Sequence, residues 1–221
     1  MMPSFRAQPE PGSRPRTPLR RLALPLAVYL LAALTACGGG PQLPVLPDDA
    51  IVLAFGDSLT AGKGAKPGED YPSRLAAMTG LTVINAGIAG ELSAQGRARL
   101  PDVLAEHQPD LVLLCHGGND ILRRNGADAI RANLHAMVET ARAAGARVVL
   151  LAVPTLGLGL NPHPTYSELA RELDLVIEPR VITDVLSDVS LKADGVHPNA
   201  VGYAFIAERL AALLRARGAL Q

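Results

Sequence analysis

Five apolar residues in succession, Ile51-Val52-Leu53-Ala54-Phe55, stop at Gly56-Asp57-Ser58. A run of this length, ended by a turn, suits a strand buried on both faces. Strands of that kind belong to parallel sheets covered by helices, which narrows the chain to an α/β fold. Ser58 falls just past the carboxyl end of the strand, where such sheets bind their ligands. Gly56 has no Cβ, so the backbone can turn sharply there. Taken alone, Gly56-Asp57-Ser58-Leu59 is an ordinary strand-to-loop turn.

The same pattern recurs along the chain. Leu81–Ile84, Leu111–Cys115, Val148–Val153 and Leu175–Ile177 read as further strands. Helical spacing occupies the intervals at 71–78, 93–107, 127–144 and 166–173, and a last amphipathic helix spans 200–217. Pro101 should bend or divide the helix at 93–107, because it removes one hydrogen bond and crowds the preceding turn. Strands alternating with helices predict parallel β–α–β units with right-handed crossovers. The expected architecture is a three-layer α/β/α sandwich around a five-stranded parallel sheet in flavodoxin-like order. Loops that follow the strands then gather on one edge.

The first 36 residues read as a separate, removable segment. Arg14, Arg16, Arg20 and Arg21 precede a short apolar stretch from Leu22 to Ala36, too short for a confident membrane span of about 20 residues. Leu34-Thr35-Ala36-Cys37 resembles the lipobox of bacterial lipoproteins, which implies cleavage before Cys37 and lipidation of that cysteine. The expected location is then the cell envelope, with the domain facing the periplasm or exterior. Residues 37–49, rich in Gly and Pro, read as a tether and residues 50–221 as one domain. Removing 36 of the 221 residues leaves 185, enough for a sizeable core. The discarded piece holds five arginines and one glutamate, so the formally neutral chain leaves a body of net charge −4. A mildly acidic body argues against nucleic acid as a partner. Cys115 would remain as the single unmodified cysteine, so no internal disulfide is expected, and its apolar run suits a buried small hydrophobe.

Three pieces besides Ser58 can meet at the loop-bearing edge. Asn85-Ala86-Gly87-Ile88-Ala89-Gly90 carries little side-chain bulk, and Gly87 reads as a residue needing positive φ. Gly117-Gly118-Asn119-Asp120 is turn-like and offers a neutral amide donor. Asp194-Gly195-Val196-His197 could cap the last helix or present a carboxylate–imidazole pair. A serine hydroxyl becomes a nucleophile when a base takes its proton. Histidine suits that role, and a carboxylate behind the ring fixes its tautomer. The negative oxygen of a tetrahedral intermediate needs pre-placed N–H donors.

These four stretches, in this order, resemble the GDSL or SGNH hydrolases, and the likeness spans nearly the whole chain after Ile51. Gln95–Pro101, His107-Gln108-Pro109 and Asp194–Asn199 make it most similar to the bacterial thioesterase/lysophospholipase and arylesterase branch. The resemblance implies Ser58 as nucleophile, His197 as base and Asp194 as its partner. It implies an oxyanion hole of the Ser58 N–H, the Gly90 N–H and the Asn119 side chain, with Gly87 as the competing glycine. Asp57 and Asp120 are expected to brace loops. No cofactor and no metal are expected, since no cluster has ligand spacing.

The implied activity is hydrolysis of short to medium acyl esters or thioesters, with lysophospholipids among the candidate substrates, by a monomer. Ile121 and Leu122, with Leu156, Leu158 and Leu160, are the expected acyl wall. His116 reads as a rim or packing residue, His107 and His135 as surface, and His163 as a residue near the substrate entrance. A carbohydrate O-acetylesterase acting on cell-envelope polysaccharide is the rival within enzymes. A non-catalytic binding lipoprotein on the same scaffold is the rival outside them.

Overall fold

The computed structural model describes residue 4, residues 40–155 and residues 159–221. The rest of the expected signal segment, Cys37, Leu156 and Leu158 lie outside the described residues.

The apolar run at Ile51 forms β1 (Ile51–Gly56), whose last five residues are buried. A single turn, α1 (Ser58–Ala61), follows at once, capped by the Asp57 side chain on the Leu59 N–H. Next come α2 (Tyr71–Thr79), β2 (Thr82–Gly87), α3 (Ser93–His107) and β3 (Leu111–Cys115). After these lie α4 (Gly118–Leu122), α5 (Ala127–Ala143) and β4 (Arg147–Leu151). A two-residue hairpin, β5 (Pro154–Thr155) with β6 (Asn161–Pro162), precedes α6 (Pro164–Glu172), β7 (Val176–Glu178) and α7 (Val181–Ser187). The chain closes with α8 (Ala200–Ala216).

The main sheet has the order β2-β1-β3-β4-β7, and every pairing is parallel. This is the expected flavodoxin-like order. Helices α2 and α8 pack together on one face, with α7 beside α8, while α3, α5 and α6 pack in sequence on the other. The chain leaves β1 towards β2 and leaves β3 towards β4, so the connections diverge between β1 and β3. That divergence opens a crevice at the carboxyl ends of those two strands. Ser58 follows one and Gly117–Asn119 the other.

Three local expectations change. Pro101 does not divide α3, which runs unbroken from Ser93 to His107. Both Pro101 and Arg97, whose carbonyl loses its partner, are exposed, so water can satisfy the orphaned group. Gly87 lies within β2, outside the positive-φ region. A Cβ there would sit 2.2 Å from the Ala61 nitrogen, so close approach of α1 is what requires glycine. Part of the segment read as a tether is docked. The Leu43 and Leu46 N–H groups donate to the Arg217 and Ala219 carbonyls at 2.9 Å, and both leucines pack on the core.

Gly56 is equally constrained. A Cβ would meet the Cys115 carbonyl oxygen at 2.2 Å and Thr60 Oγ1 at 2.3 Å. Gly56→Ala must therefore push β1 from β3 or displace α1. It should lower the unfolding free energy by at least about 2 kcal/mol, measured as a reduced urea midpoint with an unchanged slope.

Candidate active site

Ser58 opens α1, so its backbone N–H has no partner within the helix. Its Oγ lies 3.1 Å from His197 Nε2. On the far side of the ring, His197 Nδ1 is 2.8 Å from Asp194 Oδ2 and 3.0 Å from Oδ1. A proton on Nδ1 donates to the carboxylate and leaves the Nε2 lone pair facing the serine hydroxyl. Asp194 Oδ1 also accepts from the N–H groups of Val196 at 2.8 Å and His197 at 2.9 Å. These backbone bonds and the imidazole hold its carboxyl below the usual aspartate range.

The loop carrying the pair is tied down at both ends. The Ala193 N–H donates to the His197 carbonyl, and the Asn199 N–H to the Leu191 carbonyl, each at 2.9 Å. Asn199 caps α8 through its Oδ1, while its Nδ2 donates to the Ser190 carbonyl at 2.8 Å. Gly64, at φ +99°, lets the loop after Ser58 lie against Pro198, whose oxygen would be 2.4 Å from an added Cβ. Tyr203 Oη donates to the Lys63 carbonyl at 2.8 Å, pinning the same two segments.

Asn119 sits in α4 and donates through Nδ2 to the Glu91 carbonyl at 3.0 Å, leaving its second amide hydrogen free. Gly90, at φ +81°, has open space where a Cβ would stand, and its N–H makes no hydrogen bond among the described residues. The Gly87 N–H, by contrast, donates to Asn85 Oδ1 at 3.0 Å. Ser58, Asn119 and His197 line one cleft of about 40 Å³, with Asp194 behind the histidine. Gly90 lies outside that lining, and the Asn119 side chain bonds the carbonyl of its neighbour Glu91.

Leu122 lines the cleft, but Ile121 does not, because it turns into the hydrophobic core; Leu160 packs there too. The apolar wall comes instead from Leu59, Val153, Pro154, Leu186 and Val196. His163 is not among the lining residues; it caps α6 through Nδ1 and meets the edge of Tyr166.

Asp57 and Asp120 are both buried braces. Burial pushes the Asp57 carboxyl up, while the nearby His116 imidazole and the N–H groups of Leu59, Gly118 and Asn119 pull the other way. Asp120 accepts from the Ser93 N–H at 2.7 Å and the Ser93 hydroxyl at 3.0 Å, fixing the start of α3. Burial raises the Cys115 thiol well above its ordinary value, as befits a packed side chain.

The sequence reading missed a charged cluster beneath the turn at Gly90. Arg99 grips the buried Glu91 carboxylate with Nε at 2.9 Å and Nη2 at 2.8 Å, and also donates to the Ala86 carbonyl at 3.0 Å. The guanidinium lies 4.2 Å above the centroid of the Phe55 ring. His116, read as rim or packing, is fully buried, with Nε2 3.1 Å from Glu91 Oε2. An eight-residue spacing of Glu91 and Arg99 across a loop and two helical turns gave no local signal for the pairing.

The arrangement sets a serine hydroxyl, an imidazole and a carboxylate in one line at the edge of a flavodoxin-like α/β sheet. The GDSL-like lipase/acylhydrolase family model matches residues 54–205. The chain is 34% identical over 172 residues to thioesterase 1/protease 1/lysophospholipase L1 of Escherichia coli K12, covering 74% of this chain and 83% of that protein. It is 33% identical to an arylesterase of Vibrio mimicus, covering 72% and 86%. A crystal structure of TesA superposes with a TM-score of 0.67 at 31% identity, over 75% of this chain and 98% of that one. The protein belongs to the GDSL-like lipase/acylhydrolase family.

Burial alone would raise the Glu91 carboxyl, but hydrogen bonds from His116 and Arg99 and the Arg99 charge outweigh it and hold it at about 2. A depressed folded value means that the stabilisation is complete above the unfolded glutamate value of about 4.3 and is lost as pH falls through 2. Glu91→Gln should cost about 3 kcal/mol at pH 7. Urea melts at successive pH values should show the gap between wild type and variant closing as pH falls from about 4 towards 2.

Proposed function

We propose that the protein hydrolyses carboxylic esters or thioesters through an acyl-enzyme on Ser58. The observation that carries this reading is the continuous line from Ser58 Oγ to His197 Nε2 and from His197 Nδ1 to Asp194. His197 takes the hydroxyl proton as Oγ attacks the substrate carbonyl carbon. Asp194 holds the ring and stabilises the imidazolium. The oxygen that becomes negative is met by the Ser58 and Gly90 N–H groups and the free amide hydrogen of Asn119. The imidazolium then protonates the departing alcohol or thiol. Water, deprotonated by the same ring, attacks the acyl carbon and restores Ser58.

The wall of Leu59, Leu122, Val153, Pro154, Leu186 and Val196 offers an aliphatic surface to the acyl group. Relatives named as thioesterase, arylesterase and esterase support an ester or thioester as the bond cleaved. A cleft of about 40 Å³ also suits an acetyl group, which keeps an O-acetylesterase as the second reading. Hydrolysis of nitrophenyl esters of increasing chain length, set beside release of acetate from acetylated polysaccharide, separates the two. Ser58→Ala should lower kcat by on the order of 10⁴-fold or more. Asn119→Ala should lower it by about a hundredfold or more with little change in KM. Full turnover by Ser58→Ala would end this reading.

Cleavage before Cys37 and its lipidation would hold the enzyme at an envelope membrane. Metabolic labelling with a clickable fatty acid should tag the wild-type chain and leave Cys37→Ala untagged, with the variant moving to the soluble fraction.

A further inference from the structure

The acyl-transfer scheme leaves one buried imidazole unused. His116 follows β3 directly, has no exposed surface, and uses both ring nitrogens. The Gly117 N–H donates to Nδ1 at 3.0 Å. A backbone N–H can only donate, so Nδ1 is bare and the ring proton sits on Nε2. From there it donates to Glu91 Oε2 at 3.1 Å. One ring therefore joins the turn Gly90–Glu91, beyond β2, to the turn Gly117–Asn119, beyond β3. The Asn119-to-Glu91 bond at 3.0 Å runs beside it, and Tyr166 Oη donates to the His116 carbonyl at 2.7 Å.

The surroundings are shaped to this ring. Gly96, buried in the first turns of α3, has no room for a side chain: a Cβ would lie 2.3 Å from His116 Nε2. Glycine in a helix interior costs about 1 kcal/mol relative to alanine, a penalty with a cause here. Arg99 grips the same carboxylate from the other side, which keeps Glu91 Oε2 turned to the ring.

We propose that His116 is a positioning residue, a neutral staple that sets the spacing between the Gly90 and Asn119 oxyanion donors. The inference rests on the assignment of those two donors made above. Donors aimed at a developing charge act by being placed before the reaction, so slack between their two turns weakens the transition state more than substrate binding.

Two substitutions divide the staple. In His116→Gln the amide nitrogen can reach the Nε2 position and bond Glu91, but nothing accepts from Gly117. In His116→Asn the amide oxygen replaces Nδ1 and accepts from Gly117, but nothing reaches Glu91. Active sites are counted by fluorophosphonate labelling carried to completion, so loss of folded protein does not enter kcat. Each variant should lose about ten- to hundredfold in kcat per labelled site, with KM changed less than about twofold. Added to Asn119→Ala, His116→Gln should cost less than about twofold more, because its effect passes through that donor.

Unchanged kcat per site in both variants, or losses that multiply fully in the double variant, would overturn the proposal. If Asn119→Ala is crippled while the His116 variants are not, this inference alone fails. If Asn119→Ala keeps full kcat, the oxyanion assignment fails and takes the staple with it. Should the variants not fold, the nitrogen NMR shifts of wild-type His116 decide: a bare Nδ1 and protonated Nε2 support the staple, and a protonated Nδ1 overturns it.

Discussion

The seam between β1 and β3 is the contact on which the site depends. At its carboxyl end, the Asp57 N–H donates to the Cys115 carbonyl at 3.3 Å, and Gly56 lies so close to that carbonyl that no side chain fits between. The seam thus brings the turn bearing Ser58 against the turn bearing Asn119. Asp57 then reinforces it, capping α1 through Leu59 with its buried carboxylate beside Gly118. A serine on one strand end and an amide on the next become parts of one cleft because two backbones meet there without intervening bulk.

The histidine arrives by a different route. It is carried on a loop just before α8, over a hundred residues along the chain from Ser58, and its position depends on hydrogen bonds within that loop and on Gly64 and Tyr203. This half of the site is more exposed: the Asp194 side chain is half accessible, whereas Glu91, His116 and Asp120 around Asn119 are buried. On the proposed mechanism the two halves have different tasks: the base accepts and returns a proton, while the oxyanion donors meet charge as it develops.

The five strands and the loops that carry Ser58 and Asn119 were legible because each apolar run ends in a turn of distinctive composition, while Asp194 and His197 stood out just before the last helix and through the family resemblance. The acyl wall was less so. Leu186 lies on α7, in a stretch to which the sequence analysis assigned no element, although Val181, Ile182, Val185 and Leu186 recur at helical spacing. A short helix whose first turn is capped from outside escapes local cap rules: Glu178 Oε1 accepts the Val181 N–H at 2.9 Å from the end of the preceding strand. Ile121 was misplaced since adjacent residues on one helical turn face different ways, Leu122 to the cleft and Ile121 to the core. The Glu91–Arg99–His116 cluster was invisible because its members belong to three elements that meet only after the sheet is assembled.

That cluster also explains how charge can stand close behind the oxyanion turns without governing the reaction. Arg99 stands behind the Gly90 turn, with its Nε and Nη2 committed to Glu91 and to the Ala86 carbonyl. A free guanidinium there would stabilise any anion, bound carboxylate product included, and so would bind ground states along with the transition state. Arg99 is instead paired with Glu91 and turned over the Phe55 ring, and opposite charges so close together offset one another at a distance. On the proposed mechanism, the developing charge meets a set of neutral N–H dipoles, whose pull is short-ranged and directional. The rate would then rest on where these dipoles point, with the buried ion pair holding their turns in place.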